Sequence, residues 1–180
     1  NRIEEDEELS VRYVWMSAKE TDEFNDRPTT FLEDAGTSIG SALSVVKRFG
    51  CVREKEMPMD GGLVQQSSAS FYATAGVLKV EPYIKIQNDV EVWRRWLFRQ
   101  GPMAARLLVD QSFMNAKAGT SRLDLEEPFP RPHEMAHAVT IVGYLADGTF
   151  IIRNSWGTDW GDGGFAYATE RYMLSAFNEF

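Results

Sequence analysis

Apolar and polar positions change period part-way along the chain. In Leu9 to Lys19, LSVRYVWMSAK, apolar residues recur at helical spacing behind Ser10, a side chain suited to cap a first turn. A second helical stripe, Ile39, Leu43, Val46 and Phe49, runs through IGSALSVVKRFG, with Thr37 or Ser38 as cap and Gly50 as stop. NDRPTTFLEDAGTS, between them, reads as loop. After MPMDGG the pattern turns to alternation, so GVLKVEPYIKI predicts an extended segment whose Pro82 suits an edge or a bend. NDVEVWRRWLFRQ predicts a helix capped by Asn88 or Asp89, with Trp93, Trp96 and Leu97 as core or interface residues, and PMAARLLVD a strand after it. HAVTIVGY and TFIIRNS then predict paired strands, and GGFAYAT a third. Helices first and sheet second give an α+β chain, divided into a helical part, residues 1–62, and a β-rich part, 63–180.

Composition narrows the function classes. A chain of 180 residues with 43% apolar content can bury a core without staples. The formal charge is −8 and no face collects lysine and arginine, which argues against nucleic acid as a partner. Ala138 to Ala146, among the longest apolar runs, is interrupted by Thr140 and Gly143 and is too short to span a bilayer, so a soluble protein with no membrane partner is expected. Cys51 is the single cysteine, so no disulfide can form within the chain; this leans toward a reducing compartment. The chain opens at Asn1 without methionine and soon enters EEDEE, a solvated acidic segment unlike a signal peptide; a processed or partial product is the expectation.

The candidate chemistry centres on His137. His133 and His137 are four apart, but Pro132 precedes the first and a strand pattern follows the second, so no metal site and no cofactor are predicted. His137 opens one strand and Asn154 closes the next. A two-residue turn at Asp147-Gly148 sets His137 opposite Thr158; a loop centred near Leu145-Ala146, or a bulge with the same effect, sets it opposite Asn154, and the latter is expected. An amide that accepts a hydrogen bond from one imidazole nitrogen fixes the ring and leaves the other nitrogen for a nucleophile, with Trp156 as a roof. Taken alone, His137 reads equally well as a satisfied histidine at a strand start, and Trp156 and Trp160 as packing residues. Glu126 and Glu127 beside Pro128 read as a solvated loop, not a catalytic carboxylate pair.

HAVTIVGY followed by IIRNSWGTDWGDGGF resembles the C-terminal signature of the papain-like cysteine peptidases, and the resemblance implies a Cys-His-Asn triad with His137 and Asn154 catalytic and Trp156 supporting. LSVRYVWMSAK resembles a helix of that family's left lobe, and DAGTSIGSALSVVKRFGCVREKEMP the glycine-bearing strand and following helix of bacterial members. Implied with it are a two-lobe fold, its helical left lobe incomplete and its right lobe an antiparallel sheet or barrel, and a peptide or protein substrate. Gly36, Thr37 and Ser38 match the segment that binds substrate backbone, while Met135, Ala136 and Ala138, with Ala104, match positions around an apolar pocket; Gly36 also reads as backbone freedom before a helix cap, and Met135 and Ala138 as core. Two positions depart from the pattern: Ala136 stands where aspartate, asparagine or glycine is common, and Phe165 replaces a tyrosine.

The family's nucleophile segment and its oxyanion-hole glutamine have no counterpart here. Cys51 lies only 86 residues before His137, against roughly 130 to 150 in the family, and it follows a helix C-terminus, where the dipole opposes a thiolate. It reads as a small buried filler. Two readings remain open. A cleaved segment or second chain carries the cysteine of an active peptidase, or the protein is an inactive papain-like pseudoenzyme that binds a peptide or protein.

Overall fold

The computed structural model describes residues 8–21, 36–60, 69–80, 82–125, 129 and 135–179. The chain forms two compact units, Asn1–Ile84 and Lys85–Phe180.

The first unit holds α1 (Val11–Thr21), α2 (Ile39–Arg48) and α3 (Ala69–Val77). Ser10 Oγ accepts from the Tyr13 N–H at 3.0 Å and donates to Met57 O at 2.6 Å, so the expected cap of α1 also ties the helix to a distant loop. Ser38, not Thr37, caps α2 by accepting from Ser41 N. The helix stops where Gly50 adopts φ +91°; a Cβ there would sit 1.6 Å from Ala75 O. That close approach lets the Cys51 N–H donate to Ala75 O and Leu78 O, at 3.2 and 3.0 Å. The core is built from Tyr13, Val45, Val46, Cys51, Val52 and Ala75, among others. Two expectations change. Phe49, the C-cap of α2, leaves the apolar stripe and is 45% exposed, while Val45 and Val46 carry the buried face. GVLKVEPYIKI contains no strand among its described residues: α3 runs through Val77, and the exposed Val77, Val80 and Ile84 have no neighbouring strand to alternate against. Because α3 is hydrogen-bonded to the Gly50 turn, the division of the chain falls after Ile84, whereas composition placed it at 62/63.

The second unit contains α4 (Val90–Arg99), β1 (Met103–Leu108), α5 (Gln111–Met114), β2 (Arg122–Leu123), β3 (Ala136–Tyr144), β4 (Phe150–Arg153), β5 (Phe165–Ala168), α6 (Glu170–Ala176) and β6 (Phe177–Glu179). Its strands form one sheet in the order β2-β5-β4-β3-β1-β6. The β2–β5 pair is parallel and the others antiparallel, and the order has two separate ends, so the expected antiparallel sheet or barrel is a mixed, open sheet. Asp89 caps α4 by accepting from Glu91 N and Val92 N. This orients Trp93, fully buried, edge-on to Phe150 with ring centroids 5.8 Å apart, while its indole N–H donates to Gln87 O at 2.8 Å. Leu97 is buried on the same face and Trp96 packs partly buried beside it. The α+β class stands. Among the described residues no helix is long and apolar enough to cross a membrane.

Candidate active site

The site is built at one end of the β3–β4 hairpin. On β3, Val139 and Ile141 point into the core, and the two-residue period of a strand puts His137 on their side, beside its β1 partner Leu107. The hairpin pairs Tyr144 with Phe150 and Gly143 with Ile151, then Ile141 with Ile152 and Thr140 with Arg153, leaving Val142 as a bulge. This is neither register considered from sequence. Continued past Arg153, it sets His137 across from Trp156, not Asn154. The β3–β4 ladder ends at Arg153, while the Asn154 N–H continues the pairing toward β5 by donating to Gly164 O at 3.0 Å. The Asn154 side chain therefore reaches back to the ring from just beyond the strand.

The contact forms: His137 Nε2 and Asn154 Oδ1 are 2.8 Å apart. The Ser155 backbone N–H also meets Oδ1 at 2.8 Å, and a backbone N–H can only donate, so that atom is the amide oxygen. It follows that Nε2 carries the proton and donates, leaving Nδ1 to exchange one. Asn154 is buried, and its Nδ2 has no partner among the described residues. Trp156 lies over the imidazole, with ring centroids 4.6 Å apart and planes tilted by 38°, and is itself 41% exposed.

A side chain that sequence reasoning passed over completes the setting. Phe113 is fully buried, edge-on to His137 at 6.1 Å and to Trp156 at 5.6 Å, and its carbonyl accepts from the Trp160 indole at 2.8 Å. It rides on α5, a four-residue helix too short to show a periodic pattern; the cap signal, Asp110 three residues before Phe113, is what could have revealed it. The loop after Asn154 is shaped by glycine. Gly161 adopts φ +62°, and a Cβ there would lie 2.1 Å from Phe165 O.

The remaining predicted residues separate by unit. Met135 and Ala138 are exposed, Ala136 is half-buried, and all three flank His137 at the start of β3; Ala104 is exposed on β1 opposite Thr140. Met135 and Ala138 are therefore not core. Gly36, Thr37 and Ser38 lead into α2 in the first unit; Gly36 is exposed with open space where a Cβ would stand, and the Ser38 side chain is committed to its cap. His133, Glu126, Glu127 and most of the loop NDRPTTFLEDAGTS lie outside the described residues. Cys51 is wholly buried in the first unit's core, its thiol facing Val52 O at 3.3 Å. Burial pushes that thiol up from its ordinary pKa, against the smaller opposing effect of its backbone hydrogen bonds. It is a packed filler.

A helical unit, and a sheet unit that joins a histidine to a buried amide at two strand ends, together define an α+β protein with a preoriented imidazole. The chain belongs to the papain family of cysteine proteases, whose model matches residues 33–175. It is 30% identical over 126 residues to the procathepsin L of Felis catus, an alignment that covers 59% of this chain and 36% of that protein. It is 28% identical over 135 residues to a cathepsin L-like proteinase of Fasciola hepatica, covering 73% and 39%. The chain thus spans well under half the length of these relatives. Among solved structures it is similar to xylellain, a cysteine protease from Xylella fastidiosa, with a TM-score of 0.76 and 22% identity over 96% of this chain and 68% of that one. It also resembles the digestive procathepsin L 3 of Tenebrio molitor larval midgut, with a TM-score of 0.68 and 17% identity over 95% and 54%. At those identities the structural likeness speaks for the fold alone.

Proposed function

We propose that this chain carries the proton-transfer half of a cysteine peptidase, the nucleophilic thiol being supplied by a segment or second chain outside this sequence. The observation that carries the reading is the His137 Nε2–Asn154 Oδ1 contact of 2.8 Å beneath Trp156. Asn154 fixes the ring and its tautomer. His137 Nδ1 takes the proton of the thiol, giving a thiolate beside an imidazolium; the thiolate attacks a peptide carbonyl, and Nδ1–H returns the proton to the leaving amine. Water then hydrolyses the thioester, with Nδ1 as base again. Trp156 keeps water off the Nε2–H bond. In the first unit, Gly36 offers backbone without a side chain and Thr37 and Ser38 follow it, which suits an extended peptide; in the second, Met135, Ala136 and Ala138 supply apolar surface next to His137.

A second reading has its own support: the single cysteine of this chain is buried in a core. On that reading the protein is a catalytically inactive papain-like scaffold that binds a peptide or protein. A thiol-directed epoxide probe separates the two when applied to the natural full-length protein. The peptidase acquires one adduct, on a cysteine other than Cys51, and His137→Ala abolishes it. Absence of any adduct on the wild type leaves the binding module.

A further inference from the structure

We propose that Asp110 is a positioning residue for His137, acting through Phe113; this rests on the peptidase reading above. The Asp110 carboxylate is a hub. Its Oδ1 accepts from the Phe113 N–H at 2.9 Å and from Ser112 Oγ at 2.7 Å, which fixes the single turn of α5. The same oxygen receives the phenol of Tyr172, a fully buried residue of α6, at 3.3 Å. Phe113 is thereby held at both ends of its backbone unit: the N–H is bound to Asp110, and the carbonyl accepts the Trp160 indole at 2.8 Å. Its ring then stands edge-on to two partners at once, His137 at 6.1 Å with planes at 65° and Trp156 at 5.6 Å with planes at 87°.

The consequence concerns rotation. Asn154 holds one atom of the imidazole, and a ring pinned at one atom still turns about that point. Trp156 closes one side, but it is 41% exposed and needs a support of its own. Phe113 supplies it, touching both rings from the buried side, so the tilt of His137 is set by a wall whose position depends on the Asp110 cap. An isolated turn of four residues has no intrinsic stability, which makes that cap decisive for where Phe113 sits.

The test uses the natural full-length protein with Asp110→Ala, Asp110→Asn and Phe113→Leu. Asparagine keeps the capping oxygen. Two readouts are taken: steady-state peptide hydrolysis, and the proton resonance of His137 Nε2–H, shifted downfield and slow to exchange when bound to Asn154. Asp110→Ala and Phe113→Leu should lower kcat about tenfold with KM within about twofold, and the Nε2 proton should broaden or vanish; Asp110→Asn should restore both to within about twofold of wild type. If Asp110→Ala does not fold, Phe113→Leu carries the same expectation. A proton and a kcat that survive Asp110→Ala and Phe113→Leu, whatever happens to Tm, overturn the proposal. The proton needs no turnover to be seen. Unchanged hydrolysis in His137→Ala would sink the peptidase reading alone, while the resonance still decides whether Asp110 positions the ring.

Discussion

Burying the Asn154 amide leaves its Nδ2 without a partner among the described residues, a loss of about 1–3 kcal/mol in comparable cases. The fold tolerates this while the amide oxygen serves two donors, His137 Nε2 and Ser155 N. Asn154→Ala removes the orphaned group together with the useful oxygen. It should cost about 10²-fold in kcat/KM while changing the unfolding free energy by only about 1 kcal/mol, measured by peptide hydrolysis and denaturant titration on the same sample. A loss of stability that accounts for the loss of rate would show the amide to be structural. Cys51 provides the opposite control. Its burial and raised pKa predict that Cys51→Ala leaves hydrolysis and epoxide labelling unchanged, and an abolished activity would reopen it as nucleophile. The contact between His137 and Asn154 and the burial of Cys51 were readable because each depends on local pattern: a strand start, a strand end, a helix stop. The place of Phe113 beside His137 and Trp156 was not, since it comes from where a single turn of backbone is pinned.

At the scale of elements, capping chemistry explains most of what formed. Ser10, Ser38, Asp89 and Thr169 each receive a backbone N–H from the first turn of the helix that follows. Thr169 does more, because its hydroxyl also donates to Asp124 at 2.8 Å, linking the start of α6 to the segment after β2. That hydrogen bond, followed by the Leu125 N–H and the nearby Arg122 and Arg171, holds the Asp124 carboxyl below its usual pKa. A carboxyl depressed on folding adds stability above its unfolded pKa, and that contribution disappears as pH falls through the folded value. Asp124→Asn should therefore lower stability at neutral pH, converge with the wild type at acid pH and so flatten the acid side of the stability profile; an acid arm of unchanged slope would contradict the assignment. The strands β3, β4 and β5 were legible from alternation, and α4 from its cap and stripe. The register was not. A single bulged residue, Val142, shifts the pairing without altering composition or period, and the Asn154–His137 contact survives only because the amide reaches back from outside the ladder. The segment over residues 76–86 forms no strand among its described residues for the complementary reason: alternation alone cannot supply a partner strand.

The molecule as a whole is two compact units in a papain-family chain that covers 36% and 39% of the procathepsin L and the cathepsin L-like proteinase it matches. The family was legible in the segment from His137 to Phe165, where strand, amide, indole roof and glycine-rich loop follow one another closely in sequence. The division of the chain was less so, because composition changes before contacts do. α3, in the segment composition gave to the sheet half, is hydrogen-bonded to the first unit through the Gly50 turn. The proposed proton transfer at the end of the hairpin is tested directly by one comparison: kcat/KM for peptide hydrolysis by the natural full-length protein and by its His137→Ala variant. Loss of a general base of this kind should lower the rate by about 10²–10⁴-fold with the fold intact by circular dichroism. Hydrolysis that persists at the wild-type rate without the imidazole would contradict the account.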